Sequence, residues 1–146
     1  MELRIAPLTA NDHADWDRLA RGYKEFYNTI VPESGYATTW NRLLREEDVF
    51  AVGAKVGGEL VGIAHYLFHT TVWSPATCYL QDLFVDPSAR GQGVARALIE
   101  NVAMIARERG AQRLYWHTQQ HNTTARALYD KLAAFNGFVR YDFPMS

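Results

Sequence analysis

The chain reads as one α/β domain built on a mixed central sheet, and three observations predict that class. Gly57-Gly58 separates two stretches rich in β-branched and aromatic residues, the pattern of an antiparallel hairpin. From Gly91 onward the apolar period changes from two to 3.6, with Val94, Leu98, Val102 and Ala106 forming one row and Ala95, Ile99 and Ala103 a second beside it. After Gly110 the pattern returns to strand, helix and strand, so the second half reads βαβαβ. The 146 residues suffice for one substantial core and are too few for two ordinary domains, so a single domain is expected over 1–146.

Each element has a local cause. Leu3 and Ile5 alternate with Glu2 and Arg4, predicting a short first strand that ends at Pro7. Asn11 or Asp12 caps a helix in which Trp16, Leu19, Tyr23 and Phe26 recur at helical spacing as far as Tyr27. After Val31-Pro32 a second helix is expected over about 34–45, with Trp40, Leu43 and Leu44 on its buried side. The hairpin strands are placed at 49–56 and 59–68, and a polar loop over 70–75 leads to a strand at about 77–85 that Asp86-Pro87 closes. The long helix starts near Gly91. A strand over 112–118 follows, then a helix capped by Asn122 with Ala125, Leu128 and Leu132 inward, and a last strand over 137–143. The expected order is β-α-α-β-β-β-α-β-α-β.

Composition narrows the function classes. A formal net charge of −1 supplies no broad basic field for a nucleic-acid backbone. The first residues lack the long apolar run of a signal peptide, and no segment approaches the ~20 apolar residues that span a bilayer, so a cytoplasmic protein without membrane or nucleic-acid partners is expected. The lone Cys78 cannot form an intramolecular disulfide or a multi-cysteine metal site and reads as a small packed side chain; no metal is expected.

The most informative segment joins the strand at 77–85 to the long helix: Leu83-Phe84-Val85-Asp86-Pro87-Ser88-Ala89-Arg90-Gly91-Gln92-Gly93-Val94-Ala95. Glycines at 91 and 93 let the backbone come close to a ligand, and the helix that starts there presents N–H groups with the positive end of its dipole, a setting for a pyrophosphate. Arg90 and Arg96 add positive charge on either side. The bland alternative is that the glycines only permit a tight strand-to-helix turn and the arginines are solvated. Neither the dinucleotide pattern G-x-G-x-x-G after a first strand nor a phosphate loop with Lys and Ser or Thr is present.

Arg90-Gly91-Gln92-Gly93-Val94-Ala95 resembles the Arg-x-x-Gly-x-Ala coenzyme A motif of the GNAT superfamily of N-acetyltransferases, and the order of elements over most of the chain is similar to that family's sheet. Tyr79-Leu80-Gln81-Asp82-Leu83-Phe84-Val85 and the segment from Asn122 to Tyr129 look most like the polyamine and histone-tail branch. The resemblance implies an enzyme that moves an acetyl group from acetyl-CoA to a primary amine, in a small polyamine-like compound or at a lysine or N-terminus, by direct attack in a ternary complex. It implies that the backbone of Leu83, Phe84 and Val85 pairs with the pantetheine arm and that Arg90, Gly91, Gln92, Gly93, Val94, Ala95 and Arg96 hold the pyrophosphate. It further implies that Asn122 bonds the coenzyme arm, that Tyr129 gives its proton to the thiolate, and that the protein is a homodimer. Asn122 is equally a plain N-cap, and Tyr129 taken alone an interfacial aromatic.

The acceptor half is less defined. An amine of pKa ~10.4 is almost wholly protonated at neutral pH, so a base or a water relay must help. Gln81 stands where the polyamine branch commonly has a glutamate, and an amide takes no proton. Asp82, Glu33, His65, His69 and His117 are the remaining candidates. Tyr23, Phe26, Tyr27, Tyr36 and Trp40 would enclose a cationic amine with Glu33 as counter-charge, or are simply core; Tyr27, Glu33, Gln81 and Asp82 form the expected acceptor set. Two rivals stay open: a module that senses acetyl-CoA without turnover, motivated by Gln81, and a nucleotide-phosphate protein using the same loop.

Overall fold

The computed structural model describes residues 2–146, which fall into two compact units, 2–116 and 117–146, each considered by itself. The first carries a five-stranded sheet of β1 (Leu3–Pro7), β2 (Phe50–Val56), β3 (Glu59–His69), β4 (Thr77–Val85) and β5 (Leu114–Tyr115), in that spatial order. The first four strands are antiparallel neighbours, and β5 lies parallel to β4. Helices α1 (His13–Phe26) and α2 (Glu33–Arg45) separate β1 from β2, and α3 (Val94–Glu108) makes the crossover from β4 to β5.

The pleat divides two apolar layers. On one face Trp16, Leu19, Trp40 and Leu43 of α1 and α2 pack with Leu60, Ile63 and Phe84. On the other, α3 buries Val94, Leu98 and Val102. Gly62 sets how close α3 comes: a Cβ there would meet Val94 Cγ1 at 2.9 Å and Leu98 Cδ1 at 3.1 Å, so only glycine admits the helix at this distance. Leu44, expected inside, is 37% exposed, because it falls outside the stripe that Trp40 and Leu43 define. Cys78 is fully buried, and burial pushes its thiol up to about 11, as befits a packed side chain.

Two strands differ from expectation. The strand expected over 112–118 contracts to Leu114–Tyr115, paired only as Cys78↔Leu114 and Tyr79↔Tyr115. The cause lies in β4: Tyr66 pairs with Leu80 and His65 with Asp82, so Gln81 is an extra residue, a β-bulge that bends the strand and increases its twist. From Leu80 to Val85, β4 therefore has β3 along one side and no strand along the other among the described residues.

The second unit holds α4 (Thr123–Leu132), on which no residue is fully buried and Ala125, Leu128 and Leu132 are half-buried. The strand expected over 137–143 does not form: Phe138, Val139, Tyr141 and Phe143 are 74–91% exposed, and alternation alone makes no strand without a paired backbone. The observed order thus ends on α4. Among the described residues no helix is long and apolar enough to cross a membrane.

Candidate active site

β4 ends at Val85, and Asp86 starts a tight 3₁₀ turn, Pro87–Ala89, by accepting the Ser88 backbone N–H at 3.0 Å. The loop then passes through Gly91 (φ 78°) and Gly93 (φ 79°), both left-handed, and Gly93 is the N-cap of α3. A glycine cap carries no side chain to take the N–H groups of the first turn, and those groups have no acceptor within the helix. A Cβ at either glycine would meet nothing within 4 Å, so the loop backbone is open to an approaching ligand. This is the cradle a diphosphate needs. It adjoins the unpaired edge of β4, where the N–H and C=O groups of an extended polyamide arm would find partners.

The flanking arginines are less free than the sequence implied. Arg90 Nε donates to the Val85 carbonyl at 3.1 Å, and its guanidinium lies 5.5 Å from the Phe84 ring and 6.0 Å from that of Phe26. Arg96 Nε bonds Glu100 at 2.8 Å one turn along the exposed face of α3. Gln92 is exposed, Val94 is buried under the helix, and Leu83, Phe84 and Val85 pack into the sheet, so these residues offer backbone rather than side chains.

On the α1 face of the sheet, four side chains from three elements form one hydrogen-bonded chain. Trp16 Nε1 donates to His65 Nε2 at 2.9 Å, and His65 Nδ1 lies 2.9 Å from Asp82 Oδ2, which also accepts the Tyr23 hydroxyl. An indole nitrogen only donates, so Nε2 of His65 must be the acceptor and Nδ1 carries the proton. Burial works to raise the Asp82 pKa, but the His65 N–H, the Tyr23 hydroxyl and nearby Lys24 more than offset it and hold the carboxyl below its ordinary value. Burial, then the charge of Asp82, keeps the Tyr23 hydroxyl protonated far above its usual range. The Tyr27 ring lies tilted beside it, with ring centroids 5.0 Å apart.

The other candidates lie elsewhere. Glu33 is held by Arg21 at 2.6 and 2.8 Å, and those hydrogen bonds depress its carboxyl, so its charge already has a partner. Arg21 also covers the Tyr36 ring at 4.2 Å. Trp40 is a core residue, 4% exposed and stacked on His13 at 4.8 Å. Of the expected acceptor set Tyr27, Glu33, Gln81 and Asp82, Asp82 lies against Tyr23 of α1 and Glu33 pairs with Arg21. His69 Nδ1 faces the Thr70 carbonyl at 3.1 Å and so carries its proton there, leaving Nε2 to accept from the Tyr115 hydroxyl at 2.8 Å. Gln81, exposed in the bulge, lines a cavity of about 470 Å³ together with Arg42, Glu47, Asp48 and Arg109. No residue pattern announced the Trp16–His65 bond, since 49 positions separate the partners.

In the second unit Asn122 is the N-cap of α4: its Oδ1 accepts the Ala125 N–H at 3.4 Å and its Nδ2 lies 3.5 Å from Thr118 Oγ1. Tyr129 is half-buried on the same helix. Among the described residues no group of three or more His, Cys, Asp or Glu is placed to hold a metal ion.

A mixed sheet whose fourth strand enters a helix through a left-handed glycine loop, beside an open strand edge, leaves backbone donors and acceptors exposed together at one place. The chain belongs to the acetyltransferase (GNAT) family, whose model matches residues 16–135, and as such it is an acyltransferase. It is 35% identical over 142 residues to a D-amino-acid N-acetyltransferase, HPA3, of Saccharomyces cerevisiae, covering 94% of this chain and 88% of that one. It is 33% identical over 121 residues to the thialysine N-epsilon-acetyltransferase of Mus musculus, covering 83% and 71%. Among solved structures, the ribosomal-protein-alanine N-acetyltransferase of Brucella melitensis superposes with a TM-score of 0.82 at 25% identity, over 99% of this chain and all of that one.

Proposed function

We propose that this protein transfers an acetyl group from acetyl-CoA to the amine of a small molecule. The observation that carries the reading is the pair of left-handed glycines at the start of α3, open to a ligand and adjoining the unpaired edge of β4. Bound there, acetyl-CoA supplies an activated thioester; the chain supplies position and charge. The amides of the loop and of the first turn of α3 neutralise the diphosphate, and the backbone of Leu83, Phe84 and Val85 aligns the pantetheine arm. Asp82, with Tyr23 and Tyr27, receives the acceptor as an ammonium ion, and the names of both curated relatives likewise put a small amine in that role. Glu33 is engaged by Arg21, and His65 Nε2 and His69 Nε2 each accept a hydrogen bond, which leaves a water relay or His117 to carry the ammonium's first proton away. Nitrogen then attacks the acetyl carbon and gives its second proton to the same relay, the carbon–sulfur bond breaks, and Tyr129 protonates the departing sulfur and is refilled from solvent. Asn122 steadies the coenzyme arm. The family match runs across both units and supports one domain over 1–146, and the exposed Phe135, Phe138, Tyr141 and Phe143 support a homodimer.

The test is free-thiol release with acetyl-CoA and a panel of amines. Amine-dependent release is expected; saturable acetyl-CoA binding without it would replace this reading with a sensor, and stronger thermal stabilisation by ATP or NAD than by acetyl-CoA would move the loop to another cofactor.

A further inference from the structure

The imidazole of His65 is committed at both nitrogens, and the direction of each bond follows from its partner. Trp16 Nε1 has a proton and no lone pair, so at 2.9 Å it can only donate to Nε2; His65 must then be neutral and must donate from Nδ1 to Asp82, also 2.9 Å away. The side chains of His65 and Asp82 are 12% and 19% exposed, and Trp16 is 1% exposed, so packing holds the chain in one register. The neutrality has a consequence for charge. A protonated imidazole beside Asp82 would make an ion pair whose net charge is zero; a neutral one holds the carboxylate still and leaves its negative charge uncancelled.

We propose that Trp16 and His65 are positioning residues for the acceptor: the indole locks His65 neutral, so that Asp82 is fixed in place with its full charge available to the acceptor's ammonium. The inference rests on the reading of Asp82 as the acceptor's partner and adds what keeps that partner anionic and oriented. The charged and titratable groups around the pair are Tyr23 and Lys24 of α1, Tyr27 just after it and Tyr79 of β4, with His13 near Trp16 (ring centroids 6.5 Å). None of them takes the place of the indole N–H on Nε2.

Four variants and one spectroscopic measurement test this. Nitrogen-15 NMR of the native protein at neutral pH is expected to show His65 as the Nδ1–H tautomer with an accepting Nε2. An Nε2–H tautomer would overturn the inference without any variant. His65→Leu, which removes the donor to Asp82, is expected to raise the acceptor KM about tenfold, as for loss of one hydrogen bond to a charged group, with the KM for acetyl-CoA unmoved. His65→Gln, whose amide again offers one donor and one acceptor, is expected to recover most of that loss. Trp16→Phe, which removes the donor to Nε2 and frees the ring to flip, is expected to raise the acceptor KM as well, with the KM for acetyl-CoA unmoved. Normal acceptor KM in both His65→Leu and Trp16→Phe, with Asp82→Asn impaired, sinks the inference and leaves the acceptor reading standing. An unimpaired Asp82→Asn removes the acceptor reading itself, and a native protein without amine-dependent thiol release removes the proposed activity.

Discussion

The glycine loop and the Trp16–His65–Asp82–Tyr23 chain sit in the same unit and are built from opposite materials. The loop works through backbone: two left-handed glycines, a helix start without a capping side chain, and the unpaired edge of a bulged strand. The polar chain works through side chains from α1, β3 and β4, its bonded partners separated by 17 to 59 positions and held by packing. A backbone site tolerates change wherever the conformation survives, whereas a side-chain chain fails when any member loses a donor or acceptor. The difference teaches where substitutions should bite.

The largest effect is expected at a third place, where a proton moves. Tyr129→Phe should lower kcat about a hundredfold, the scale of a lost general acid, with acetyl-CoA affinity retained in calorimetry; turnover equal to the parent's would return Tyr129 to a packing role. Next, Gly93→Val forces a β-branched residue to φ 79° and should weaken acetyl-CoA binding by about tenfold through strain of ~1–3 kcal/mol. Gln92→Ala keeps the backbone and should cost far less, and equal losses in the two variants would break the backbone account of the loop. The smallest effect concerns pH. Asp12, where burial is outweighed by Lys55 and Thr9, Asp82, where it is outweighed by His65 and Tyr23, and Asp86, bonded by the Ser88 N–H and Arg18, are all held below the ordinary value of 3.8. A carboxyl with a depressed native pKa stabilises above its unfolded pKa and loses that contribution as pH falls through the native one. Tm should therefore hold level from neutrality to about pH 4 and drop below it, and Asp82→Asn should flatten the drop; an unchanged slope would mean that the carboxylate of the polar chain carries no pH-linked stability.

Much of the first unit was legible in the chain because its causes are local. Gly57-Gly58 fixed the hairpin, the 3.6-residue row from Val94 fixed α3, and Gly91 and Gly93 marked the loop, each a conformational requirement written in residue type. The segment 137–143 shows the limit: its alternation of aromatic and polar residues read as a strand, but a strand exists only when another backbone pairs with it. Glu33 shows another, since its pairing with Arg21, twelve positions away, through both carboxylate oxygens could not be read from the spacing of the aromatic stripe.

By itself, then, the sequence determined the family's loop, the order of nearly all elements and the positions where glycine is required, because these follow from φ, from periodicity and from caps within a few residues. Only the tertiary structure decided that Gln81 forms a bulge in β4, that Asp82 meets Tyr23 and His65 while Glu33 meets Arg21, and that the Trp16 indole donates to His65. Those outcomes depend on which side chains meet across the sheet, and spacing along the chain carries no information about that.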